Sequence, residues 1–179
     1  NGEEEAHREL AAKLEPLLEE NIQVLVVPGN HDIFHPNAAT YFGEERKEAK
    51  QVSPEEFYEI YHHLGYDQSS ARDPASLSYC YTLDEHRKIL MLDSAVYEPS
   101  NYVYGTIKKE TLAWMEEILR EAQDNQEEVI VVAHHNLLSE SRLYTTEVTL
   151  TNNGEVISLL NRYHVKLYLS GHLHLQRIR

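Results

Sequence analysis

One cysteine, Cys80, stands in the 179 residues. No internal disulfide can form, and no thiolate cluster can hold a structural zinc ion. The compartment stays open, because secreted enzymes can also lack disulfides. Long apolar runs are missing too. None approaches the roughly 18 residues that a membrane-spanning helix requires, so no membrane partner is expected. Cations are scarce: Lys and Arg total 16 against 30 Asp and Glu, a net charge of −14. A surface this acidic argues against nucleic acid or anionic lipid as a partner. It also repels phosphate at long range, so any phosphate chemistry needs a local cationic site. The opening NGEEEAHREL has neither an initiating Met nor the apolar stretch of a signal peptide.

What is present suits one domain, 1–179, with a real core: 41% of residues are apolar. Ala6, Leu10, Leu14 and Leu17/Leu18 recur at helical spacing, which predicts an amphipathic helix over 3–20, kinked or split by Pro16. IQVLVV, 22–27, reads as a buried strand. SPEEFYEIYHHLG opens on a capping box, Ser53 with Glu56, has Pro54 at the first helical position and ends near Gly65. Strands are predicted at 77–83 and 88–93, joined by a polar turn around Asp84–Arg87. Residues 108–123 form a helix with Leu112, Met115, Ile118 and Leu119 on one face. EVIVVAHHN is a further strand, a short helix follows Asn153-Gly154, and VKLYLSGHLH is the last strand. The alternation of helices and strands points to an α/β architecture.

Three of these strands end on polar residues: GNHD at 29–32, HHN at 134–136 and GHLH at 171–174. In open α/β sheets ligands bind beyond the carboxyl ends of the strands. If the three strands lie side by side, Asn30, His31, His134, His135, His172 and His174 converge. Imidazole and carbonyl oxygen suit zinc, manganese or iron, and the set does not choose among them. Gly29 and Gly171 are expected to let the backbone turn sharply before the ligands. His172 and His174, two apart, could reach one ion or two adjacent ions. His62-His63 sits on a helix away from these motifs and reads as a surface pair. The tyrosine-rich loop VYEPSNYVYG, 96–105, is expected to pack its own aromatics rather than stack on a base.

GNHD, then HH after an apolar strand, then GHLH after another, in this order, resemble the later motifs of the calcineurin-like metallophosphoesterases. YGTIKKETLAWMEEIL, 104–119, resembles a stretch of the cyclic-nucleotide phosphodiesterase-like branch. The resemblance implies a four-layer αββα sandwich of which this chain supplies part. It implies a dinuclear centre of two divalent ions, Mn, Fe or Zn, whose bound hydroxide attacks a small phosphoester. Asn30, His134 and His172 would bind the second metal and His174 the first. His31 would act on the leaving group as acid or phosphate-binding cation, and Asp32 would orient it. His135 has no fixed role in this pattern and stays outside the ligand set.

The chain departs from the family pattern in one respect. Before GNHD there is no D-x-H and no G-D-x-x, so the first motifs, with three ligands, are expected to lie upstream of Asn1. Residues 1–179 would then be an N-terminally truncated domain holding one ion at most and inactive by itself. The strand at 22–27 would lose its hydrogen-bonded neighbours, and this exposed sheet edge would invite self-association. The activity of the full-length form is expected to be phosphodiester hydrolysis, with phosphomonoesters also open. The alternative is a non-catalytic fragment that binds one metal or none. An interaction domain with incidental histidines has no distinctive face to offer on the acidic helices.

Overall fold

The computed structural model describes residues 2–139 and 148–174. The chain begins with helix α1 (Glu4–Glu19), a hairpin of β1 (Ala39–Phe42) and β2 (Glu45–Glu48), and helix α2 (Pro54–Tyr61). Then come β3 (Ala71–Arg72), β4 (Tyr79–Asp84) and β5 (Arg87–Leu92), and a short hairpin, β6 (Ala95–Val96) with β7 (Tyr102–Gly105). Helix α3 (Lys109–Asp124), β8 (Glu128–Ala133), α4 (Asn153–Arg162) and β9 (Leu167–Ser170) complete it. Five strands form the central sheet in the order β3-β4-β5-β8-β9. The two-stranded hairpins are the other sheets among the described residues. The class is α/β, and these layers supply part of the expected sandwich.

β4 and β5 are antiparallel across the turn predicted at 84–87, where Asp84 accepts from the His86 amide at 2.9 Å. β5, β8 and β9 run parallel, with Leu92 opposite Ala133 and Ala133 opposite Ser170. Helices α3 and α4 make the two crossovers, so the carboxyl ends of all three strands meet at one edge. Side chains alternate between faces along each strand. Leu90, Leu92, Val131 and Ala133 face α3 and α4, packing on Met115, Leu119, Val156 and Leu160, with Trp114 against the same cluster. Met91 and Tyr79 face the other way, into a second cluster with Phe57, Ile60 and Leu64.

Two expectations need correction. Residues 22–27 form no strand. The segment makes only scattered bonds: Val26 N–H donates to Leu64 O at 3.3 Å, and the Tyr79 hydroxyl donates to Val26 O at 2.9 Å. Val24 to Val27 are half-buried against the second cluster. Their apolar character is satisfied by packing, while no described strand lies beside them to complete a ladder. Of the two outcomes expected at Pro16, the split does not occur, since α1 runs unbroken from Glu4 to Glu19. Pro16 sits on the exposed side in the last turn, where few residues of the helix remain beyond it. The helix ends three residues later, at Glu19. Asn21 adopts φ 58°, its amide reaches Leu18 O, and Ile22 N–H reaches Leu17 O at 2.9 Å. This is a Schellman ending with Asn in the left-handed position.

The capping box of α2 is present in both directions. After α2 the chain makes one wide turn over His62–Tyr66, with Gly65 at φ 116°. A Cβ there would also stand 2.5 Å from the Tyr79 hydroxyl, so only glycine fits. Tyr102 and Tyr104 stack with centroids 4.9 Å apart, as expected of a loop that packs its own aromatics.

Met115 is fully buried between α3 and the sheet. Met115→Ala is expected to lower unfolding stability by about 2–5 kcal/mol, read from urea denaturation, because the surrounding helices cannot close the void completely.

Candidate metal centre

β8 runs directly into His134 and His135, and β9 into Gly171 and His172. The parallel register continues one step beyond the strands, where Gly171 N–H donates to His134 O at 3.0 Å. This bond ties the two strand ends together. Asn30 arrives on a tight turn. Asp32 N–H donates to Gly29 O at 3.2 Å, and the Asp32 carboxylate accepts from Gly29 N–H at 2.7 Å. Gly29 is required, although for a different reason than a sharp turn. A Cβ at 29 would stand 2.6 Å from His134 Nδ1, so glycine is what lets the turn come up against the imidazole. At Gly171 an added Cβ would meet His134 at an ordinary 3.8 Å. The left-handed residues after β9 are His172, φ 62°, and His174, φ 54°. Such conformations are uncommon outside glycine, and they collect at functional sites.

Three atoms then meet. His134 Nε2 lies 2.8 Å from Asn30 Oδ1 and 3.1 Å from His172 Nδ1, and His172 Nδ1 lies 3.2 Å from Asn30 Oδ1. Hydrogen bonding cannot satisfy all three edges. The amide oxygen only accepts, and each imidazole nitrogen is either an N–H or a lone pair. With both nitrogens protonated, two donors face each other. With one protonated, the other lone pair faces the amide oxygen. Every assignment leaves at least one repulsive edge. A cation among three lone pairs removes the conflict. Ligand bonds of about 2.1 Å place neighbouring donors about 3.0–3.4 Å apart in octahedral or tetrahedral geometry. The donors here therefore fit a divalent ion in both chemistry and spacing. Burial is the main force pushing the His134 pKa down to about 3, with the neighbouring imidazoles adding to it, so its lone pair is free at neutral pH.

His135 lies in the same group: the ligand atoms of His134, His135 and His172 fall within 4.8 Å of one another. Both of its nitrogens are engaged elsewhere. Nε2 is 3.0 Å from Val103 O, which can only accept, so Nε2 carries the hydrogen and Nδ1 accepts from the Ser94 hydroxyl at 2.9 Å. Gly105 permits this contact, since a Cβ there would stand 2.2 Å from His135 Nδ1. Burial lowers the His135 pKa to about 4. His135 is thus a brace between β8, the end of β5 and the β6-β7 hairpin.

The remaining candidates are placed differently. His31 is exposed, its ring 4.6 Å from that of His35. Among the described residues no hydrogen bond joins Asp32 to His31. The Asp32 carboxylate closes the turn on Gly29 instead, and lies 3.8 Å from His7 Nε2. His174 is exposed and stands outside the triangle, near enough for its charge to lower the His134 pKa. Sequence reasoning missed Ser94, His7 and Asn101. Ser94 and Asp93 follow β5 as His134 follows β8, so the strand-end rule could have found them. His7, which reaches Asp32 O at 3.2 Å, and Asn101, which reaches Asn30 O at 2.8 Å, carry no such signal.

The sequence profile described as calcineurin-like phosphoesterase matches residues 2–176. Among solved structures, a dimetal phosphatase from Danio rerio is similar at 14% identity and a TM-score of 0.46. The match covers 55% of this chain and 43% of that one, so the chain spans less than half of that neighbour's length. No curated protein matches.

Asp93 gives a pH signature at this edge. It is buried, and burial raises its pKa to about 6, against the opposing pull of the Tyr97 hydroxyl at 2.9 Å and two backbone amides. Between about pH 4 and 6 the folded chain therefore holds a proton that the unfolded chain has released. Stability attributable to Asp93 is present below that window and is lost as pH rises through it. Asp93→Asn is expected to remove this loss. The difference in melting temperature, variant minus wild type, should rise from pH 4 to 6 and then level off.

Proposed function

We propose that the chain, which belongs to the calcineurin-like phosphoesterase family, carries the second-metal half of a phosphoesterase site. The observation behind this reading is the triangle of Asn30 Oδ1, His134 Nε2 and His172 Nδ1, whose short edges call for a cation. A bound divalent ion would polarise phosphoryl oxygens and acidify a water. It would also supply the local positive charge that a chain of net charge −14 needs before it can hold phosphate. Asn30, His134 and His172 are the ligands in this reading. His134 stays neutral through burial, so protons do not compete for it. His31, exposed and on the same turn as Asn30, would give a proton to the departing alcohol oxygen or bond a phosphoryl oxygen in this reading. His174 would serve the other ion.

The finer reading is a phosphodiesterase acting on a small phosphoester. The resemblance of 104–119 to the phosphodiesterase-like branch supports it, and the structure gives that stretch a physical role. Gly105 admits the His135 brace, while Ile107, Met115 and Leu119 bury against the sheet. A second reading is a fragment that binds one ion and does not turn over. It is favoured by the donor set, since no carboxylate joins the histidine group among the described residues. No strand forms at the expected seam of 22–27, so we infer self-association instead along β9, the last strand of the sheet among the described residues, where Leu167 and Leu169 are 45% and 48% exposed.

After exhaustive dialysis the 179-residue chain is expected to retain one divalent ion or fewer by elemental analysis, and His134→Ala should abolish it. Two tightly held ions would overturn this ligand count. In a form of the protein that turns over bis(p-nitrophenyl) phosphate, His31→Ala should cut that turnover by about 10²–10⁴-fold with metal content unchanged. Loss of metal in that variant would make His31 a ligand instead.

A further inference from the structure

We propose that Asn101 is a positioning residue for the metal centre, holding Asn30 in place from a loop far away in sequence. Its side-chain amide donates to two backbone carbonyls at once, Asn30 O and Ile33 O, each at 2.8 Å. The orientation of that amide is fixed by its surroundings. Turned the other way, its oxygen would face two carbonyl oxygens. Both hydrogens of the amide nitrogen are thereby used, one for each carbonyl.

The turn needs this help. Asn30 is 2% exposed and Ile33 is fully buried, so water does not reach their carbonyls freely. Neither carbonyl accepts a backbone hydrogen bond in the turn, whose one internal backbone bond ends on Gly29 O. Of the two carbonyls between them, Asp32 O is met by His7 Nε2 at 3.2 Å. The ligand-bearing turn is therefore held from outside, by α1 on one side and by the loop before β7 on the other. Asn30 alone among the three triangle residues has no strand directly before it. Its position thus depends on side chains, and Asn101 bonds its own carbonyl. Groups of this kind, one step behind the ligands, typically change metal affinity 10- to 100-fold when removed.

This inference rests on the metal reading above, and the experiment separates the two. Zinc affinity is measured by competition with a chromophoric chelator on the intact chain, well below the melting temperature. Asn101→Ala is compared with Asn101→Asp, which keeps the shape but replaces the donors. The control is Lys88→Ala, which breaks a buried ion pair with Glu127 at the far end of β5. Asn101→Ala is expected to weaken zinc binding by roughly tenfold or more, and Asn101→Asp at least as much. Lys88→Ala should lower the melting temperature and leave zinc affinity unchanged. If wild type and His134→Ala bind zinc alike, the metal reading fails. If wild type binds at His134 and both Asn101 variants bind equally well, or lose affinity only to the degree that Lys88→Ala does, Asn101 is merely structural. If Asn101→Ala does not fold, Asn101→Asp alone decides, by the same comparison.

Discussion

Parallel pairing of β8 with β9 places Ala133 opposite Ser170, and the candidate centre follows from that register. One more residue on each strand brings His134 beside Gly171, and the bond between them fixes how far His172 can stand from His134. A shift of one residue would turn the imidazoles to opposite faces of the sheet. Everything packed on the sheet serves to hold this register. Helix α3 and helix α4 cover one face, and the crossovers they form are what make β5, β8 and β9 parallel in the first place. His135 then uses both nitrogens to bind this edge to Ser94 and to the hairpin at Val103. Two adjacent histidines thus do different work, one facing the triangle and one bracing it.

Much of this was legible in the sequence because it depends on periodicity. The helix at 108–123, the strands around 84–87 and the capping box at Ser53 are local patterns, and local patterns suffice to form them. The grouping of the β8 and β9 ends was legible too, since parallel α/β sheets put such ends together, whereas Asn30 joins them from a turn that no strand leads into. The run at 22–27 misled because apolar character says that a segment is buried without saying that it has a ladder partner. Pro16 misled because a proline lowers helix stability without having to end the helix, and α1 continues past it to Glu19. The role expected of Asp32 rested on resemblance, whereas the carboxylate closes its own turn on Gly29.

What stayed illegible was the set of contacts between residues far apart in the chain. Asn101 and Asn30 are separated by 71 positions, and His7 and Asp32 by 25. No spacing rule links them. The requirement at Gly29 was read correctly as a glycine and wrongly as a turn, because close approach depends on His134, which is 105 residues away. Steric necessity of that kind exists only once the fold has formed.

The two faces of the sheet have different aromatic content. Trp114, the sole tryptophan, packs with the α3–α4 side, while Tyr61, Tyr66 and Tyr79 lie in the cluster on the opposite face. Indole emission therefore reports on one half of the molecule, and tyrosine circular dichroism in the near ultraviolet is weighted towards the other. The protein carries two optical probes, one for each side of its sheet. Whether both sides melt together is a question its own chromophores can answer, without any label.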